Sequence, residues 1–225
     1  MRGTNSKLFI PILLVKIMNE LLNKIKALES SEINSVVEKR LAEFASFKTK
    51  SKDAWFSELC FCILAANAKQ KTSEAIQSQI SAEGFKTLSQ ETLADLIKIN
   101  KHRFHNTKAK YIIHARKFAD NLKENLLDKT EQESREWLVQ NINGIGMKEA
   151  SHFLRNTGGQ NLAILDRHIV NILAEHKIIT KPKTLTPTKY KEIEQIFTNI
   201  ASTLRIAPAK LDLMLWYIKT GEVAK

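Results

Sequence analysis

The sequence predicts an all-α fold. Apolar residues recur at helical spacing along most of the chain, alternating strand-like runs are almost absent, and chain breakers are sparse, with 7 Gly and 4 Pro in 225 residues. The pattern implies about ten helices.

Each element follows from its punctuation. Ser30-Ser31 can cap a helix through Phe47, with Ile33, Val36, Val37, Leu41 and Phe44 on one face. Asp53 can cap Ala54 to Ala68, a run apolar nearly all round and therefore central. Short helices are expected over 72–80 and 92–99, and Thr107 can open a longer one through Leu122. A helix from Glu131 to Ile142 is broken by Gly144-Ile145-Gly146, and another runs from Met147 to Asn156. After the loop 157–161, Asp166 can cap Arg167 to His176. Thr186-Pro187 opens a helix to about Leu204; Pro208 opens the last one and Gly221 ends it.

Composition narrows the function. Lys+Arg is 35 against 24 Asp+Glu, a formal net charge of +11, and phosphate backbones are the commonest partner for such an excess. Hydrophobic residues make up 43%, enough for a core. The two cysteines, Cys60 and Cys62, fall on nearly opposite faces of a helix, read as small buried hydrophobes, and cannot ligate a four-cysteine cluster. The apolar stretch Leu8 to Val15 follows basic residues as in a signal peptide, but no small-residue cleavage site follows and it is too short to span a bilayer. Residues 1–17 are expected to be an extension ahead of a start at Met18, with one functional body over 18–225.

The informative stretch is Asn141-Ile142-Asn143-Gly144-Ile145-Gly146-Met147-Lys148-Glu149-Ala150. Two glycines one residue apart make a tight turn whose backbone N–H groups can approach a phosphate, and the next helix presents its positive end there. The same pair fits an ordinary corner between helices. Lys148 sits in the first turn of that helix, where the dipole disfavours an ammonium and favours a nucleophilic amine. A lysine there can equally serve as a phosphate contact. Asp166 ends the apolar run 162–165 and suits both a cap and a rigid catalytic carboxylate.

A Gly-x-Gly hairpin, a lysine two residues on, a small-residue helix, a loop and an apolar run ending in Asp166-Arg167-His168 resemble the helix-hairpin-helix DNA glycosylase superfamily. The resemblance covers roughly 31–225 and implies a two-lobed helical fold with the active-site cleft between the lobes. With no cysteine after Cys62, the chain departs from the iron–sulfur branch. Two further stretches resemble the compact 8-oxoguanine DNA glycosylase/lyase family known from archaea: 103–111, which reads Arg-Phe-His-Asn-Thr-Lys-Ala-Lys-Tyr, and 216–225, which starts at Trp216 and closes on Lys225. By themselves these stretches also fit a solvated helix start, and a core tryptophan with a frayed tail.

The resemblance implies a bifunctional enzyme. A damaged base is flipped out of the duplex. Lys148 attacks the sugar C1′, the oxidised base leaves, and the imine permits β-elimination. Asp166 stabilises the charge developing on the sugar or helps deprotonate Lys148. Gly144, Ile145 and Gly146 grip the DNA backbone. Trp216, Lys225, Asp212 and Phe104 are the candidates for base recognition, and Asn67 and Gln70 for the turn that enters the opening left by the flipped base. The expected partner is double-stranded DNA containing oxidised guanine, bound by a cytoplasmic monomer that needs no metal or organic cofactor and no membrane. A glycosylase for another damaged base and a non-catalytic helix-hairpin-helix DNA-binding protein are the alternatives.

Overall fold

In a computed structural model, residues 19–223 and 225 are described, and no strand occurs among them. The expected extension, with Met18, lies outside these residues. Among the described residues no helix is long and apolar enough to cross a membrane. The chain forms two compact units: Phe44–Gly159 is one, and the described residues up to Glu43 together with Gln160–Lys225 are the other.

The Phe44–Gly159 unit is built around α3 (Lys52–Ala65). From Trp55 to Ala65 every residue of α3 except Ser57 is buried, because it is apolar on all faces and neighbours cover each of them. Against it pack α4 (Gln70–Thr87), α6 (His105–Ala115), α7 (Leu122–Leu127) and α9 (Met147–Asn156), while α5 (Gln90–Ile99) packs on α4 and α6 and α8 (Glu131–Asn141) on α9. Cys60 and Cys62 are both buried in α3, as expected of small hydrophobes, and burial pushes the Cys60 thiol up. The other unit contains a helix over 19–29 (α1), most of α2 (Glu32–Ser46), α10 (Arg167–Glu175), α11 (Pro187–Leu204) and α12 (Pro208–Thr220).

Several expectations need correction. A further helix spans 19–29, with Leu21 and Ile25 fully buried, where the sequence pattern implies none. The cap of α3 is Ser51, whose hydroxyl accepts from Ala54 N; Asp53 lies inside the first turn and pairs with Lys86 instead at 2.9 Å. The helix expected over 72–80 extends to Gln70–Thr87 and kinks at Ser81. Thr107 caps nothing, since α6 already begins at His105. The stretch from there to Leu122 is not one long helix: a 3-10 turn at Arg116–Phe118 separates α6 from α7. The Arg116 guanidinium donates there to the carbonyls of Phe85 and Leu88, an anchor that sequence periodicity does not reveal.

Candidate active site

The hairpin between α8 and α9 has two distinct glycines. Gly144 has φ +83°, and a Cβ on it would lie 2.3 Å from the Tyr111 ring of α6, so conformation and close packing both require glycine. Gly146 meets only Glu149 Oε2, at 3.4 Å, so space does not demand it. As the N-cap of α9 it has no side chain to cap the first-turn N–H groups. Those donors and the positive end of the helix form an anion-binding terminus. Ile145 between the glycines is buried and anchors the turn.

Lys148 stands in the first turn of α9, partly exposed, with Nζ 3.0 Å from Glu149 Oε1. The helix beneath it is held at several points. Asn156 Nδ2 donates to the buried Glu58 carboxylate of α3 at 2.7 Å, Trp55 and Phe153 meet edge to face with centroids 5.9 Å apart, and Arg135 of α8 donates to Ser151 Oγ at 3.3 Å. The backbone carrying the lysine is thereby fixed to the central helix.

Behind Lys148 lies a lysine whose role the sequence alone does not suggest. Lys108 of α6 is 5% exposed and donates from Nζ to Ile63 O near the C-terminal end of α3 at 2.6 Å. Burial brings its pKa down to about 8, with the Glu149 carboxylate opposing the fall and the Lys148 ammonium adding to it. It lies within the distinctive stretch 103–111, but its burial depends on a carbonyl 45 positions away.

The turn after α3 places Asn67 in the left-handed region, φ 61°, and exposed. Gln70 opens α4 and donates to Glu74 at 2.9 Å. Phe104 is the N-cap of α6 and 39% exposed, with the Arg103 guanidinium 4.5 Å above its ring centroid.

In the other unit, Asp166 is the N-cap of α10. Its Oδ1 accepts from His168 N and Ile169 N, both at 2.8 Å. The extended approach 162–165 is anchored by α11: Tyr190 Oη donates to Ala163 O at 2.7 Å and accepts from Leu165 N at 3.2 Å, while Ala163 N donates to Glu194 at 3.1 Å. The carboxylate is therefore rigid. Two residues on, the His168 ring meets Trp216 of α12 edge to face, 5.0 Å between centroids and 79° between planes. Asp212, one turn before Trp216, is 4% exposed, and Lys225 is half-buried. Asp166 and Trp216 thus share a neighbour, His168, while the hairpin, Lys148, Phe104, Asn67 and Gln70 belong to the Phe44–Gly159 unit.

The chain's similarities are extensive. Residues 37–206 match the Ogg-HhH family, described as 8-oxoguanine DNA glycosylase. A protein of Methanocaldococcus jannaschii named 8-oxoguanine DNA glycosylase/AP lyase is 47% identical over 208 residues, covering 91% of this chain and 99% of its own length. The crystal structure of the Methanocaldococcus jannaschii 8-oxoguanine glycosylase/lyase in complex with a 15mer DNA containing 8-oxoguanine superposes with a TM-score of 0.89 at 46% identity, covering 92% of this chain and 100% of that one. The 8-oxoguanine DNA glycosylase of Thermotoga maritima gives 0.87 at 38% identity, covering 92% and 100%. The all-α helix-hairpin-helix fold and the extent of these matches together establish that the chain belongs to the 8-oxoguanine DNA glycosylase family.

Proposed function

We propose that this protein removes 8-oxoguanine from double-stranded DNA and then cleaves the strand at the resulting abasic site, the activity named for its relatives. The observation that carries the reading is the position of Lys148, on the first turn of α9 and two residues after Gly146, beside a helix terminus that its N-cap residue leaves uncapped. A phosphate bound by those N–H groups brings the sugar-phosphate chain alongside the Lys148 amine.

The steps balance without a cofactor. The neutral amine of Lys148 attacks C1′ of the flipped nucleotide, the C1′–N9 bond breaks, and the base departs with its electron pair and takes up a proton. Asp166, held rigidly as the N-cap of α10, stabilises the positive charge that develops on the sugar. The C1′–O4′ bond then breaks, the proton of the attached amine passing to O4′, and leaves an imine with Lys148, which acidifies C2′. Removal of that proton expels the 3′ phosphate as the C3′–O bond breaks. The hairpin 144–146 holds the backbone, Trp216, Asp212, Lys225 and Phe104 serve base recognition, and Asn67 and Gln70 face the opened duplex.

The test is incubation of the full chain with duplexes carrying different lesions, or a preformed abasic site, in the presence of borohydride. A stable protein–DNA adduct on the 8-oxoguanine and abasic duplexes, with none on undamaged DNA, is expected. An adduct confined to another lesion would make the protein a glycosylase for that base. No adduct and no release of base on any duplex would leave it a DNA-binding protein without catalysis.

A further inference from the structure

His102 connects the end of α3, just before the Asn67 turn, to the start of α6 within the Phe44–Gly159 unit. Its ring is 3% exposed. Nε2 lies 2.9 Å from Leu64 O at the C-terminal end of α3, just before the Asn67 turn, and Nδ1 accepts from Phe104 N at 3.2 Å. These partners determine its chemical form. A carbonyl only accepts, so Nε2 carries the hydrogen; an amide N–H only donates, so Nδ1 carries none. The ring is therefore neutral and has a single tautomer. Burial favours that form, and the neighbouring Lys108, His105 and Arg103 side chains reinforce it, with the Leu64 carbonyl alone opposing.

The backbone delivers His102 to this place. Lys101 is left-handed, φ 60°, Lys101 N donates to Lys98 O at 2.8 Å, and His102 N points to Ile97 O at 3.4 Å. This is the double closure that ends a helix and turns the following residue inward. Lys108 completes the clamp, donating from Nζ to Ile63 O and from its backbone N to Phe104 O at 2.9 Å. Two successive carbonyls of α3, Ile63 and Leu64, thus accept from side chains of the α5–α6 segment.

We propose that His102 is a positioning residue for base excision: its unprotonated Nδ1 fixes the backbone of Phe104, so that the exposed ring is presented to a nucleobase of the bound DNA at a set distance from the Asn67 turn. The proposal rests on the base-recognition role given to Phe104 above. The ring is half-exposed beneath Arg103, a combination suited to stacking on a base beside a phosphate chain. The His102 ring also meets the Phe104 ring edge to face, 6.5 Å between centroids, so His102 restrains Phe104 at its backbone and at its ring.

The two nitrogens can be separated by substitution. The amide of glutamine reaches the place of Nε2, and the amide oxygen of asparagine falls near Nδ1. His102→Gln keeps the donor to Leu64 O and loses the acceptor for Phe104 N; His102→Asn does the reverse. Full-length wild type, both His102 variants, Phe104→Ala and the double variant His102→Gln/Phe104→Ala are compared for single-turnover excision of 8-oxoguanine, for cleavage at a preformed abasic site, and for thermal unfolding. His102→Gln is expected to lose about tenfold in excision, the worth of one hydrogen bond to a functional group, and to cleave abasic DNA within about twofold of wild type. His102→Asn should recover most of the excision despite weakening the end of α3. The double variant should excise no more slowly than Phe104→Ala, because His102 acts through Phe104. Excision by His102→Gln at the wild-type rate, or a double variant slowed by the product of both single losses, overturns the proposal. So does a His102→Asn protein as slow in excision as His102→Gln, or an equal loss on both substrates. Full excision by Phe104→Ala would instead remove the stacking role on which the proposal stands.

Discussion

Lys148 Nζ and Glu149 Oε1, on adjacent residues of α9, form an ion pair at 3.0 Å. Neighbours one residue apart on a helix normally diverge. Glu149 Oε2 comes within 3.4 Å of where a Gly146 Cβ would stand, so the carboxylate leans toward the hairpin. The positive end of the helix favours a carboxylate in its first turn, and Glu149 holds the Lys148 side chain beside the hairpin. Lys148→Arg keeps the charge and the partner but has no amine able to form an imine. We expect its affinity for duplex DNA to stay within a few-fold and borohydride trapping to vanish. Lys148→Gln should lose trapping as well and reduce the salt slope of binding by about 1. An adduct with either variant removes Lys148 from the mechanism.

Asp166 has a structural role and a chemical one, and Asn separates them. The side-chain oxygen of Asn can accept from His168 N and Ile169 N as Asp166 Oδ1 does, and Asn is an equally good N-cap. Asp166→Asn should therefore unfold within about 1 kcal/mol of wild type and lose on the order of one hundredfold or more in excision rate. Asp166→Ala should lose activity and, in addition, about 1 kcal/mol of stability from the cap. Full activity in the Asn variant, measured by single-turnover excision, would reduce Asp166 to a cap.

Much of this was legible in the sequence where the signal is local. Met147 to Asn156, Pro187 to Leu204 and Pro208 to Gly221 are bounded by residues that stop or start helices whatever surrounds them, and the helices have those limits. Asp166 was legible as a cap for the same reason. The break after α6 was not, because no Gly or Pro marks it; it depends on Arg116 reaching carbonyls 28 and 31 positions away. The choice of Ser51 over Asp53 depends on Lys86, 33 positions from Asp53. Tyr111 against Gly144, Lys108 against Ile63 and His102 against Leu64 are likewise long-range, so the groups that hold the site lay beyond a reading of motifs.

Ser81 carries a stability prediction. Its φ of 61° and ψ of 171° fall where essentially only glycine is at ease, at a cost of about 1–3 kcal/mol. Its hydroxyl accepts from Gly84 N at 3.4 Å, a long capping bond. Glycine at such a cap gives up only a few tenths of a kcal/mol. Some of the gain is offset by the freedom glycine adds to the unfolded chain. Ser81→Gly should therefore stabilise by about 1 kcal/mol, raising the thermal midpoint by roughly 2–4 °C. A lower midpoint would mean that the hydroxyl outweighs the strain.

Lys108 should make stability depend on pH. Its folded pKa is about 8, and in an unfolded chain a lysine titrates near about 10.4. Between those values the unfolded state holds more protons, so the contribution of Lys108 to stability rises with pH across that window and is flat below it. The neutral amine still donates to Ile63 O. Lys108→Met keeps the apolar stem and removes the titration. The stability difference, wild type minus variant, should then grow in favour of wild type as pH rises from about 8 to about 10. Denaturant unfolding at several pH values reads it, and a difference independent of pH would show that Lys108 does not titrate in the fold.

Trp216 distinguishes recognition of a base from handling of a sugar. Its ring is half-buried on α12 and held edge to face by His168, 5.0 Å away, while α12 itself is tied to α10 by Lys219 and Glu175 at 2.8 Å. The helix that Asp166 caps therefore carries both the residue that orients Trp216 and the one that anchors its helix. Stacking of a base on an aromatic side chain is worth about 1–3 kcal/mol, or roughly tenfold to a hundredfold. Trp216→Ala should lose that much in excision of 8-oxoguanine, and Trp216→Phe, which keeps a smaller aromatic face, should lose less. At a preformed abasic site there is no base to hold, so cleavage by Trp216→Ala should stay near the wild-type rate if the fold is intact. Equal losses on the two substrates would mean that Trp216 supports the packing of α10 and α12 and takes no part in recognition.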